Sequence, residues 1–133
     1  MSLPGTVVVP AGAGRPTLQG IPVGSLNEYN VGRGLTRARH EYVYQYRLEG
    51  ARGVVGDFRI DFLVLSTVPL ATPLEVFSEY WHRGELKPAD EFRLRQIEAA
   101  LMGEADETVI FWGNESETEE EAYRTVIEKL GPG

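Results

Sequence analysis

The chain has no cysteine. That excludes a disulfide framework, a thiolate metal site and a cysteine nucleophile, and it makes a reducing, cytoplasmic setting the natural expectation. Long apolar runs are also missing. Stretches such as residues 62–65 and 108–112 fall far short of the roughly 20 residues needed to cross a bilayer, so no membrane partner is expected. The opening Met1-Ser2-Leu3-Pro4-Gly5 lacks the basic flank and continuous apolar stretch of a signal peptide. Positive charge is scarce: 13 Lys and Arg stand against 20 Asp and Glu, for a net charge of -7. This weighs against broad electrostatic adhesion to nucleic acid, whose sequence-independent affinity comes from neutralised phosphates. The imbalance is uneven, however. Glu115, Glu117, Glu119, Glu120 and Glu121 gather near the C-terminus, while Arg33, Arg37, Arg39, Arg47 and Arg52 crowd the first half, where one basic face has room to form. No glycine loop has phosphate-loop or dinucleotide-binding spacing, and no internal repeat is visible.

What is present describes one packed α/β domain. A chain of 133 residues suits a single core, and 42% apolar with 25% charged residues is ordinary globular composition. Residues 1–22 carry four prolines and four glycines around Val7-Val8-Val9 and read as an N-terminal arm, either a flexible tail or a segment that docks on a protein partner. Residues 23–133 form the domain proper. Ser25 to Glu28 has the form of a capping box, which predicts a helix over 25–38. Leu26, Tyr29, Leu35 and Ala38 would be its buried stripe, with Gly32 and Gly34 each weakening it by roughly 1 kcal/mol. Aromatic and β-branched residues predict a strand over 42–48, and the glycine-rich 50–56 a turn into a second strand over 57–66. In that second strand Phe58, Ile60, Phe62 and Val64 are expected on one face, with Asp57, Arg59, Asp61, Leu63 and Leu65 on the other. A third strand is predicted over 74–78. A helix from Pro88 to Gly103 follows, with Phe92, Leu94, Ile97 and Leu101 inward. A fully buried strand over 108–112 comes next. The last helix is capped by Ser116 or Thr118, turns Tyr123, Val126, Ile127 and Leu130 inward, and stops at Gly131-Pro132.

The order helix, three strands, helix, strand, helix sets Asp61 and Glu75 on adjacent strands of a mixed central sheet. Two carboxylates so placed are what Mg²⁺ or Mn²⁺ asks for, because these are hard cations that take oxygen ligands. The spacing of Asp61 and Glu75, with Glu28 on the first helix, resembles the PD-(D/E)XK nuclease superfamily. The family's pattern is an aspartate, a variable gap, a second acid, one residue and a lysine, often with a further glutamate from the first helix. Phe77 stands where that lysine is expected. The segment Val76-Phe77-Ser78-Glu79-Tyr80-Trp81-His82 is similar to the strand-end stretch of very-short-patch repair endonucleases, where a Trp-His pair follows the third strand. The resemblance implies a restriction-endonuclease-like core and hydrolysis of DNA phosphodiester bonds. It implies a divalent cation on Asp61 and Glu75, with Glu28 in support and His82 as acid or base in place of the lysine. Asp90, Arg93 and Trp112 fall where such nucleases have a polar helix start and a final core strand.

Substrate contacts are expected from Gln45, on a water or a phosphate, from Tyr44 and Tyr46, by stacking on bases unless they pack in the core, and from Trp81 and Arg93. Each of these residues also has an ordinary reading. Asp61 can be a surface carboxylate paired with Arg59 or Arg47, Glu75 a solvated strand residue, Glu28 a helix cap and His82 a structural histidine. His40 reads as a favourable charge at a helix C-terminus, and the Glu115–Glu121 run as a solvated helix face. A second function class stands beside the nuclease: a noncatalytic interaction or assembly module of the same fold, for example in a phage particle, docking through the arm. Its support is the missing lysine and the acidic charge.

Overall fold

The computed structural model describes residues 14–48, 58–80 and 86–133. The chain is α/β: the described residues form a mixed four-stranded sheet and a two-stranded hairpin, flanked by three helices. The hairpin joins β1 (Thr17–Leu18) to β2 (Ile21–Pro22) through Gln19 and Gly20, both at positive φ as a two-residue turn requires. Part of the expected arm is thus built into the domain. Leu18 is buried against Gly32, and the Gln19 amide bonds to both Tyr42 C=O and Tyr44 N–H. The glycine-rich 50–56 and the first 13 residues lie outside the described residues.

Helix α1 (Leu26–Arg37) is capped by Ser25, whose Oγ accepts from Glu28 N–H. The sheet follows: β3 (Tyr42–Arg47), β4 (Arg59–Val64), β5 (Thr72–Phe77) and, after α2 (Pro88–Ala100), β6 (Val109–Trp112). Their spatial order is β3-β4-β5-β6, with the first two pairings antiparallel and the last parallel, the α2 crossover giving the parallel join its length. Helix α3 (Glu119–Leu130) closes the fold, capped by Thr118 rather than Ser116. The rim of β6 is covered from this side. Lys129 Nζ donates to Ile110 C=O and to Glu115 Oε1, which also accepts from Trp112 N–H. No helix among the described residues is long and apolar enough to cross a membrane.

Regular alternation in β3 and β4 fails at one rung. Tyr44 pairs with Phe62 and Tyr46 with Ile60, but Gln45 and Asp61 between them do not pair, and Gln45 sits at φ 54°. Residues two apart on a strand normally share a face. Here they do not. Tyr44, Phe62 and Val64 join the core roofed by α1 and α3, whereas Tyr46, Phe58, Ile60 and Leu63 pack with Ile97 and Leu101 of α2. The expectation that Phe58, Ile60, Phe62 and Val64 share one face is corrected accordingly, and Asp61 lies at the point where the strand changes sides.

Other predicted stripes also need correction. Helix α1 buries Asn27, Val31, Gly32, Gly34 and Leu35, leaving Leu26 and Tyr29 only partly covered. A Cβ on Gly34 would meet the α3 backbone at 3.0 Å, so the two glycines make room for neighbours. Phe92 and Ile127 are exposed, and Val109 and Ile110 are only half-buried. His40 lies just beyond the end of α1. It is buried, with Nδ1 on Ser66 Oγ at 2.8 Å and Nε2 on Gly131 C=O at 2.7 Å, tying the ends of α1, β4 and α3 together.

Candidate functional site

The β4–β5 ladder runs from Val64↔Thr72 to Phe62↔Leu74 and stops there, although continuing it would place Asp61 opposite Glu75. Instead each of the two side chains accepts a backbone N–H from the other strand. Asp61 N–H donates to Glu75 Oε2 at 2.7 Å, and Val76 N–H donates to Asp61 Oδ2 at 2.8 Å. Strand β5 stays paired with β6 as far as Phe77↔Trp112, so the sheet forks while remaining anchored on one side. The fork opens a cleft of about 610 Å³ lined by Glu28, Asp61, Glu75, Phe77, Asp90 and Arg93, among others.

Glu75 is fully buried, and both its oxygens are engaged. Oε2 holds Asp61 N–H, and Oε1 accepts from Arg93 Nε of α2. The same guanidinium donates through its second nitrogen to Arg59 C=O and lies over the Phe58 ring at 4.9 Å. The predicted solvated alternative for Glu75 is therefore excluded. Glu28 points from the first turn of α1 toward the same cleft. Rather than reaching back to close the capping box, its carboxylate accepts from Tyr44 Oη at 2.5 Å and from Ser25 Oγ at 3.3 Å.

Among the described residues that line the cleft, the carboxylates of Glu28, Asp61, Glu75, Glu79 and Asp90 outnumber the one guanidinium, that of Arg93. Burial, then the charges of Glu75 and Glu28, push the Asp61 carboxyl well above the usual carboxylate range, against the pull of Val76 N–H and Arg93. Glu28 is raised as well, chiefly by burial, with its bonds from Tyr44 and Ser25 opposing. Burial followed by the bond to Glu28 raises the Tyr44 phenol. Among the described residues, no three His, Asp or Glu side chains are arranged to hold a metal ion.

The structure brings together Asp61, Glu75, Glu28 and Arg93. Tyr44 belongs to the group from beneath: at 2% exposure, with its ring on Phe62, it offers no face to a base and instead holds Glu28. Gln45 is the kinked neighbour of Asp61 and does not line the cleft. Phe77 packs edge-on with Trp112 and leans on Tyr80, whose hydroxyl donates to Asp90 at 2.6 Å. Trp81 and His82 lie outside the described residues. Sequence reasoning missed the Tyr44–Glu28 and Arg93–Glu75 partnerships. The first has a signal, since a buried tyrosine needs a partner for its hydroxyl. Compared with family models, curated proteins and solved structures, the chain matches none.

Proposed function

We propose that the chain is a metal-dependent DNA endonuclease or nickase with a restriction-endonuclease-like core. The observation that carries this reading is the side-by-side pair of Asp61 and Glu75 at the fork of the sheet, with Glu28 beside them in an open cleft. The donor set fits Mg²⁺ or Mn²⁺. It consists of hard carboxylate oxygens that outnumber the guanidinium beside them, and Mg²⁺ is commonly held by one or two carboxylates with water and substrate oxygens completing the shell. Asp61 and Glu75 are the proposed ligands. Bound there, the cation supplies a Lewis acid that lowers the pKa of water and neutralises charge growing on the phosphate.

The chain's own residues do the rest. Glu28, fixed by Tyr44 and Ser25, keeps a third negative charge close to Asp61 and favours cation entry. Arg93 carries a positive charge into the same cleft, suited to a phosphodiester oxygen. In this reading His82 transfers the proton to or from the cleaved ester. The noncatalytic alternative draws on Phe77, whose place in the aromatic cluster leaves no lysine at the fork.

The test is nicking of supercoiled plasmid and cleavage of single-stranded DNA with Mg²⁺ or Mn²⁺. Wild type should convert plasmid to the open circle, with activity reduced to background in Asp61→Asn, Glu75→Gln and His82→Ala. Full cleavage by Asp61→Asn would end the assignment. No cleavage by wild type would favour the interaction module, with deletion of residues 1–13 as the next variant.

A further inference from the structure

Resting on the cation reading above, we propose that Arg93 is an internal counter-cation that a divalent ion displaces from Glu75, releasing the guanidinium to meet the substrate phosphate. In the structure Arg93 is the positive charge on Glu75, bonding the oxygen that Asp61 N–H leaves over. Its side chain stays about one-third exposed (32%) while that of Glu75 is 1% exposed, so the guanidinium covers the carboxylate from the cleft side. Arg93 comes from α2, outside the sheet, and its Nε–H can leave Glu75 without breaking a strand.

A buried carboxylate left without a partner is strongly unfavourable. Glu75 therefore favours a positive charge beside it, and Arg93 supplies it when no metal is bound. A divalent ion and a guanidinium compete for the same Oε1. Once the ion has taken it, Arg93 keeps its contacts with the Arg59 carbonyl and the Phe58 ring. Its Nε–H is then free to donate to a phosphate oxygen. Metal arrival and substrate grip become one event.

The competition is read by metal binding alone. Arg93→Met, which keeps the stem and removes the charge, should bind Mn²⁺ about tenfold more tightly than wild type if Arg93 covers Glu75 about nine-tenths of the time. The readouts are calorimetry and the cation-dependent rise in Tm. Unchanged or weaker Mn²⁺ affinity in a folded Arg93→Met protein overturns the proposal, as does absence of Mn²⁺ binding in both proteins. Should that variant fail to fold, the wild type decides. Saturating Mg²⁺ should shift the Arg93 Nε–Hε resonance and abolish its protection from solvent exchange, with the peak assigned by its loss in Arg93→Lys. Persistent protection overturns the displacement. The two readings fail separately: displacement without plasmid nicking leaves the switch standing and removes the nuclease, whereas nicking with Arg93 still on Glu75 does the reverse.

Discussion

Asp61 and Glu75 each accept a hydrogen bond from the other's strand, so their carboxylates are structural elements of the sheet as well as the chemistry of the cleft. The two roles conflict at neutral pH. Because burial and the neighbouring carboxylates raise the Asp61 pKa above its ordinary 3.8, the fold favours the protonated form. The stability linked to Asp61 is fully present below about pH 4 and is lost as the pH rises through the folded-state value. Asp61→Asn keeps an acceptor for Val76 N–H and removes the charge. In metal-free buffer at pH 7 it should be more stable than wild type by roughly 1–2 kcal/mol, about 3–8 °C in Tm, and the gain should vanish near pH 4. Thermal unfolding at the two pH values checks this, and a variant less stable than wild type at pH 7 would contradict the electrostatics. Much of this residue-level picture was legible in the sequence, where a lone aspartate amid Ile60, Phe62 and Leu63 already signals purposeful burial. The partner of Glu75 was not legible, because Arg93 is 18 residues away and meets it only through the placement of α2.

Helices and strands were readable where period and caps agree. The capped starts of α1 and α3, the Pro88 start of α2 and the strands around Tyr44, Phe62 and Phe111 lie close to where patterning puts them. Reading failed where a neighbour, rather than the element itself, sets the requirement. Gly34 looks like a weak point in a helix, yet a Cβ there would sit 3.0 Å from Tyr123 N and 3.1 Å from the Ala122 carbonyl carbon. Those are backbone atoms of α3, which cannot turn aside as a side chain would. Gly34→Val should therefore destabilise by roughly 1–3 kcal/mol through overpacking, despite removing a glycine from a helix. Urea unfolding should show a lower midpoint with an unchanged slope. A rise in the midpoint would mean that α1 and α3 are packed more loosely than their backbones indicate. The Gln45 kink is equally silent in sequence, since nothing in Tyr44-Gln45-Tyr46 announces a residue at φ 54°.

At the scale of the molecule, the face change at Gln45 and Asp61 divides the interior formed by the described residues into two clusters held very unequally. The larger takes residues from α1, α3 and every strand of the main sheet; in the smaller, Ile97 and Leu101 are the buried anchors of α2. A helix so lightly anchored opens first. Hydrogen exchange should find α2 amides opening at a free energy at least about 1 kcal/mol below those of α1 and α3, with Arg93 carried along. Equal protection across the three helices would refute the division. The α/β class and the order of the main elements followed from composition and periodicity, but the split interior did not, because it arises from one rung shared by two strands. The covered rims of the sheet have a different consequence. With the Gln19 amide closing β3 at Tyr42 and Tyr44, and Lys129 and Glu115 closing β6 at Ile110 and Trp112, a second copy finds these backbone groups already bonded. Growth into fibres by adding strands, the usual fate of a short open sheet at high concentration, is blocked at those positions by side chains.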